Sequence, residues 1–327
     1  MRPPIPSTSS GIGRTAVEQF AADVRYYVCL DPRQLPSQYF YDELGSALFE
    51  AICRLPWYGI TRAESRLLAA HGGDVFRVVL SSVSTLVELG PGSGDKLRLL
   101  LEAGEAGRAG LDVHLVDVSQ SALETAAHTV GMLHGVRVAT HCATYDAGLR
   151  AATRTADGRT LVAFLGSNIG NFDPPGASAF LHNLRVTLAP GDALLLGVDL
   201  VKPERTLLLA YDDPLGVTAA FNRNLLVRIN RELGGDFDVD QFAHQAVWNA
   251  RRSRIEMHLV ARSAQRIRIP GAQSEISMKA GDLIWTESSY KYRAGDIHQL
   301  LQSCGYRVNA RWIDRQDGFA LTLADAV

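Results

Sequence analysis

Three glycines at every second position, Gly90, Gly92 and Gly94, follow a run of strand-forming residues ending Val87-Glu88-Leu89. Glycine lets the backbone take positive φ and lets a ligand approach without a Cβ in the way. Thr85 to Leu89 reads as one buried strand, and a helix is expected from Asp95. The loop therefore lies at the carboxyl end of a strand and at a helix N-terminus. The N–H groups there lack intrahelical partners and take up anionic or polar ligand groups. Glu88 places an acid at the end of the strand. A second acid, Asp117, closes the next strand, Val113–Asp117, where doubly wound folds hold ribose hydroxyls. The chemistry of these residues is the holding of a nucleotide-type cofactor.

Spacing narrows the cofactor. A dinucleotide loop, G-x-G-x-x-G, would need its third glycine at position 95, which is Asp95. The E-x-G-x-G-x-G arrangement from Glu88 to Gly94 resembles the first motif of the class I S-adenosylmethionine (SAM) methyltransferases. That resemblance implies a loop wrapping the sulfonium and ribose, with the helix start facing the methionine carboxylate. Ser10-Gly11-Ile12-Gly13 imitates part of a dehydrogenase loop, but no strand precedes it.

The loop needs a parallel sheet around it, and the pattern supplies one. Strands are expected at Val136–Cys142, Thr160–Gly166 and Asp192–Leu200, separated by helices, one capped by Ser119 and one over Pro174–Leu188. Ala143 to Asp146 is expected as a loop over the adenine. Before the sheet stands a helical preface: Thr15–Leu30, Ser46–Arg54, and a helix capped by Thr61 with Glu64 at capping-box spacing. After Leu200 the rhythm breaks into a long helix, Val217–Leu233, and alternating strands at His244–Asn249, Arg254–Ala261 and Gln265–Ile269. Leu283–Lys291 leads back, Ala294–Cys304 is a helix, and Arg307–Ile313 with Phe319–Leu323 form a closing hairpin. The expected fold is α/β, a doubly wound sheet with a terminal antiparallel hairpin. Its expected divisions are an arm at 1–14, preface and cofactor core at 15–200, an inserted α+β substrate domain at 201–285, and a return at 286–327.

Composition excludes other classes. The chain has 327 residues and a formal net charge of −2, which gives no electrostatic case for nucleic acid or a membrane surface. No run approaches the length that spans a bilayer. Four scattered cysteines suit a reducing cytoplasm, and the nine histidines show no metal-ligand spacing. A small-molecule substrate, a monomer and no metal are expected.

Seven further stretches resemble one family. They are Tyr39–Phe49 (YFYDELGSALF), Arg54–Tyr58 (RLPWY), Thr61–Glu64 (TRAE), Phe164–Asn171 (FLGSNIGN), Ala210–Asp213 (AYDD), Phe221–Asn224 (FNRN) and Arg254–Met257 (RIEM). Together they are similar to the histidine Nα-methyltransferases that open ergothioneine biosynthesis, with matches from about Tyr39 to about Leu323. The resemblance implies three methyl transfers from SAM to the α-amino group of histidine, giving the betaine hercynine. It implies that Asn171 and Tyr211 hold the amino and carboxylate end, beside Gly166 and Tyr41. Tyr58, Glu287 and Ser289 would meet the imidazole, and Phe49 and Met257 would line the pocket. Lys96, Asp117, Thr144 and Tyr145 would join Glu88 and the three glycines around SAM.

The physics agrees with these roles. Asn and Tyr oxygens accept hydrogen bonds from an amine and can aim its lone pair without a strong base. Glu287 and Ser289 are two apart on a strand and share a face, a two-point clamp for a ring with two nitrogens. Bland readings stand beside them. Asn171 could cap the helix after Pro174, and Tyr211 could be an exposed turn residue. Glu287 could be a surface charge or pair with Lys291 or Arg293, and Met257 could be core filler. The chain also departs from the family. Gly59-Ile60 replaces Tyr-Pro, Asn168 stands where Thr is common, and Thr144 stands where an acid contacts the adenine amine. Pro91 and Gly94 alter the loop, and Ser288 and Tyr290 flank the clamp. These positions leave open the same fold acting on tyrosine or tryptophan, and a non-catalytic SAM-binding protein.

Overall fold

The structure, a computed structural model, describes residues 15–79, 83–104, 110–154 and 158–327. The expected arm at 1–14 lies outside the described residues. Three helices lead in: α1 (Ala16–Tyr27), α2 (Glu43–Cys53) and α3 (Gly59–Val79), with a two-residue strand β1 (Arg33–Gln34) after α1. Then β2 (Val83–Leu89), α4 (Asp95–Ala103), β3 (Leu111–Asp117), α5 (Gln120–Gly131), β4 (Val136–Cys142), α6 (Tyr145–Thr153) and β5 (Arg159–Phe164) follow in alternation. The helix α7 (Pro174–Thr187) and strand β6 (Ala193–Asp199) complete the parallel part.

These strands join the C-terminal pair β12 (Tyr306–Asp314) and β13 (Phe319–Ala326) in a seven-stranded sheet ordered β12-β13-β6-β5-β2-β3-β4. β13 runs antiparallel to β6, so a hairpin closes a parallel sheet. The order reverses between β2 and β5, which opens a crevice at their carboxyl ends. Sequence explains which strands are central. β6, β2 and β5 are almost continuously apolar and buried, as covering both faces requires. The edge strand β12 alternates buried or half-buried with exposed residues.

Between β6 and β12 the chain forms α8 (Glu204–Tyr211), α9 (Val217–Leu233), β7 (Phe242–Asn249), β8 (Arg254–Ala261), β9 (Gln265–Ile269), β10 (Ser274–Met278), β11 (Leu283–Tyr290) and α10 (Ala294–Ser303). A second sheet has the order β1-β11-β8-β7, and β9 and β10 make a separate hairpin. β1, from the preface, pairs parallel with β11. After β11 a parallel bridge between Leu200 and Tyr292 ties the chain back to the end of β6.

Several expectations change. Thr61 does not cap a helix, because α3 already runs from Gly59. The Arg62 guanidinium instead gathers the carbonyls of Leu55, Pro56 and Tyr58, fixing the turn between α2 and α3. α2 starts three residues early because Asp42 accepts the Gly45 N–H at 2.7 Å. Tyr145 and Asp146 open α6 rather than lying in a loop. β1, β10 and α8 were not anticipated. β1 is too short to carry a pattern, β10 alternates serine and glutamate with its buried residues, and α8 spans barely two turns.

Candidate functional site

On the cofactor side, the loop backbone is left-handed at Gly90, Gly92 and Gly94, with φ of 74°, 55° and 80°. A Cβ on Gly90 would lie 2.8 Å from the Tyr145 hydroxyl and 2.9 Å from Asn168 Nδ2. A Cβ on Gly94 would press on Ala126 at 3.0 Å, against helix α5. Gly92 has open space, so only its backbone conformation demands glycine. The Gly90 N–H donates to the Val116 carbonyl at 2.8 Å, locking the loop to β3.

Two acids face this loop. Glu88 is 1% exposed, its Oε2 has no partner, and burial pushes its pKa up to about 8 against the pull of Lys96. Burial also raises Asp117, whose Oδ1 accepts the Ser119 N–H at 2.9 Å. Tyr145 stacks edge-on against Phe164 and Phe180, and burial raises its hydroxyl. Thr144 holds the N-cap position of α6, exposed and without a capping bond. An orphaned acid oxygen, a second acid at the next strand end and a cradle that a Cβ would fill together fit SAM.

Lys96 was expected at the cofactor, and its amine meets a partner the sequence did not assign. Glu64, fully buried, lies 2.8 Å from Lys96 Nζ. Both its oxygens accept the Gly166 N–H at 2.9 Å. Burial alone would lower the Lys96 amine; the Glu64 carboxylate reverses that and holds it above the ordinary lysine value. β6 makes room with Gly197, where a Cβ would fall 2.1 Å from Glu64 Oε1. The presumed capping acid is thus the joint between the cofactor loop and the turn after β5.

Beside that joint lies a cavity. It gathers all nine positions expected to meet substrate: Tyr41, Phe49, Tyr58, Gly166 and Asn171, with Tyr211, Met257, Glu287 and Ser289. They come from the preface, the turn after β5, α8, β8 and β11. Aromatic rings wall one side. Phe49 lies 5.6 Å from Tyr41, 6.3 Å from Tyr58 and 5.9 Å from Phe221, between ring centroids. Phe221 and Asn168 line the cavity too, and neither carried an assignment.

The polar face is on β11. A register break between Trp285 and Glu287 is held by the Trp285 indole N–H, which donates to the Glu287 carbonyl at 2.7 Å. Glu287 and Ser289 then both face the cavity. Burial raises Glu287 to about 7, and the Lys291 charge keeps it from rising further. Glu287 does not pair with Lys291, which is committed to Asp199 at 2.9 Å. Asn171 does not cap α7; Asp173 does, accepting the Gly176 N–H. Tyr211 is not in an exposed turn: it ends α8, and its buried hydroxyl lies 2.8 Å from Ser289 Oγ. Met257 is opposite Glu287 across the β8–β11 ladder and serves as wall.

Beneath the cavity, Asn222 ties these walls together. Its Oδ1 accepts the Thr286 hydroxyl at 2.7 Å and its Nδ2 donates to the His258 carbonyl at 3.1 Å. His244 Nε2 donates to the Tyr211 carbonyl at 2.7 Å, and its Nδ1 accepts from Asn222 at 2.9 Å. Burial lowers His244, which favours that neutral tautomer. The signal for Asn222 was an amide inside the apolar repeat of α9, where a polar group needs a buried partner.

A family model described as histidine-specific, SAM-dependent methyltransferase matches residues 20–326. The chain is 41% identical over 311 residues to the histidine N-alpha-methyltransferase of Mycolicibacterium smegmatis, covering 95% of this chain and 96% of that protein. It is 42% identical over 294 residues to the protein of the same name from Mycobacterium tuberculosis, with 90% of each chain covered. Ergothioneine biosynthesis protein 1 of Neurospora crassa is 30% identical over 297 residues, covering 86% of this chain and 32% of that longer protein. The motif loop at the sheet's switch point, the cavity beside it and a match across almost the whole chain agree, and the chain belongs to the histidine-specific, SAM-dependent methyltransferases.

Proposed function

We propose that the chain adds three methyl groups in succession to the α-amino nitrogen of L-histidine, yielding hercynine, the first step of ergothioneine biosynthesis. SAM, when bound, supplies a methyl on a sulfonium, an electrophile that needs positioning more than covalent help. The chain's own residues do the rest. Glu88, Asp117, Tyr145 and the three glycines hold the cofactor, with Thr144 at the rim and Lys96 fixed by Glu64. Asn171 and Tyr211 hold the amino and carboxylate end of histidine near Gly166 and Tyr41. Glu287 accepts an imidazole N–H while Ser289 and Tyr58 meet the rest of the ring. The walls from Phe49 and Met257 exclude water, which strengthens each polar contact.

The observation that carries this reading is Glu287. It is a carboxylate at the wall of an aromatic-lined cavity, raised to about 7 by burial and without an ion-pair partner among the described residues. A ring with two nitrogens satisfies it; the side chains of phenylalanine or leucine leave it unpaired, at a large cost in selectivity. Mass spectrometry of the purified protein with SAM and all twenty amino acids tests the reading. Trimethylated histidine is the expected product; a methylated tyrosine or tryptophan instead overturns the substrate assignment.

We infer further that the chain works as a monomer in the cytoplasm, on a small molecule rather than nucleic acid or membrane. The four cysteines are free, as in a reducing compartment, and among the described residues no helix is long and apolar enough to cross a membrane.

A further inference from the structure

Lys291 lies just past the end of β11, fully buried behind the cavity, and the proposed reaction gives it no role. Its ammonium has three N–H donors and three oxygens receive them. Tyr211 Oη lies at 2.7 Å, Ser289 Oγ at 2.9 Å and Asp199 Oδ2 at 2.9 Å. Asp199 is also buried, and Lys202 Nζ sits 2.6 Å from its other oxygen. The ammonium also rests 4.6 Å from the centroid of the Tyr211 ring. Lys291 is therefore saturated, with no N–H left for a ligand.

That saturation constrains the two hydroxyls that do reach the cavity. Tyr211 and Ser289 are 2.8 Å apart, so one donates to the other. Each also accepts from Lys291. Two hydroxyl protons are present and one is spent between them. We propose that Lys291 is a positioning residue that makes Tyr211 and Ser289 a single shared donor, offering one proton to the amino-acid substrate, at its ring end or its carboxylate end but not at both. Its charge, close to Glu287, also keeps that carboxylate available as an acceptor. The inference rests on the histidine reading given above.

The charged and titratable groups around the pair Glu287 and Lys291 include Asp199 at the end of β6, Lys202 beyond it, Tyr211 on α8, Tyr292 next to Lys291, and Tyr41 and Tyr58 ahead of α2 and α3. Of these, Lys291 is the charge that lowers Glu287. Removing it moves the Glu287 titration to higher pH.

The test measures histidine and S-adenosylhomocysteine affinity by calorimetry from pH 6 to 9. Lys291→Met, in which Asp199 keeps Lys202 as its counterion, is compared with Lys291→Met/Asp199→Asn, which also removes the carboxylate that Lys291 paired with. Binding of S-adenosylhomocysteine within about threefold of wild type reports an intact fold. In whichever variant passes that check, histidine is expected to bind at least about tenfold more weakly. The acid limb of its affinity is expected at higher pH, a shift that lost packing alone does not produce. Unchanged histidine affinity with an unmoved limb overturns the proposal.

A second cycle needs no change at Lys291. In Tyr211→Phe the remaining Ser289 hydroxyl is freed for the ligand, and in Ser289→Ala the Tyr211 hydroxyl is. The double variant has neither. Its loss of histidine affinity is expected to exceed the product of the two single losses by about fivefold or more. Losses that simply multiply mean two independent donors and overturn the proposal. Wild-type protein that binds S-adenosylhomocysteine but no histidine overturns the functional reading, and the inference with it.

Discussion

From Gly90 to Gly94 the cleft surface is largely backbone, shaped by positive φ at three of its five residues, Gly90, Gly92 and Gly94. Across the joint at Glu64 the surface is side chain, brought together from the preface, the turn after β5, α8, α9, β8 and β11. The first region needs little beyond glycine and a helix start. The second needs a buried scaffold: Lys291 with Asp199 under Tyr211 and Ser289, and Asn222 with His244 under Met257 and Tyr211. A loop made of backbone tolerates change in its neighbours, whereas a pocket made of side chains inherits every fault in the shell behind it.

Glu64 joins the two regions through Lys96 and Gly166, so its removal is the strongest way to break the comparison. Glu64→Ala leaves the Lys96 amine without its counterion and the Gly166 N–H without its acceptor. Breaking a buried pair from one side costs about 3–5 kcal/mol. Urea unfolding should show a loss of that order, and both ligands should bind more weakly. Loss of histidine affinity alone would mean that Glu64 serves only the pocket.

The next two changes separate the regions. Glu287→Ala is expected to weaken histidine binding by roughly 2–4 kcal/mol, because an imidazole N–H is then buried without an acceptor, and to leave S-adenosylhomocysteine untouched. Asp117→Ala is expected to do the reverse, with about 1–3 kcal/mol lost from S-adenosylhomocysteine and histidine unchanged. Calorimetry of both ligands against both variants gives the full square. Equal losses in any one variant would show that the two regions are not separable.

That square also explains what the sequence made legible. The loop was readable because its chemistry is local: spacing alone placed Gly90, Gly94 and the start of α4. The sheet followed from alternation, and its central strands from their continuous apolar runs. The nine pocket positions lie as far apart as Tyr41 and Ser289, and no local pattern joins them; only likeness to a family placed them together. What stayed hidden was the layer behind the pocket. Glu64 has the spacing of a capping box, and nothing along the chain says that α3 begins two residues before Thr61. Lys291 reads as a strand-end charge until Asp199, ninety-two positions earlier, is brought to 2.9 Å.

The pocket's acid gives the comparison a pH signature. Glu287 titrates near 7, above the ordinary glutamate value, so its carboxylate form is present above that pH and lost as pH falls through it. If the ring N–H needs the ionised form, wild-type histidine affinity drops about tenfold between pH 8 and pH 6, beyond what the ligand's own ring contributes. Glu287→Gln has no such titration and should show a flatter profile over the same window. The cofactor side predicts no matching step for S-adenosylhomocysteine there unless Glu88, near 8, also reaches it. A parallel step in both ligands would assign the titration to Glu88.

The smallest effect is expected at Thr144, where the family resemblance leads one to expect an acid. Thr144 has the extended backbone of an N-cap, φ −63° and ψ 156°, yet its hydroxyl makes no capping bond and is exposed to solvent. The first N–H groups of α6 are therefore left to water. An aspartate there accepts one of them and adds a negative charge at the positive end of the helix. Thr144→Asp should stabilise the protein by about 0.5–1 kcal/mol, seen as a rise of about 1–3 °C in Tm. If the same carboxylate also reaches the adenine, S-adenosylhomocysteine binds more tightly in the variant while histidine does not. A stability gain with unchanged affinity confines Thr144 to capping and removes it from the cofactor site. An affinity gain would show that the backbone-built region, too, takes part of its selectivity from one side chain at its rim.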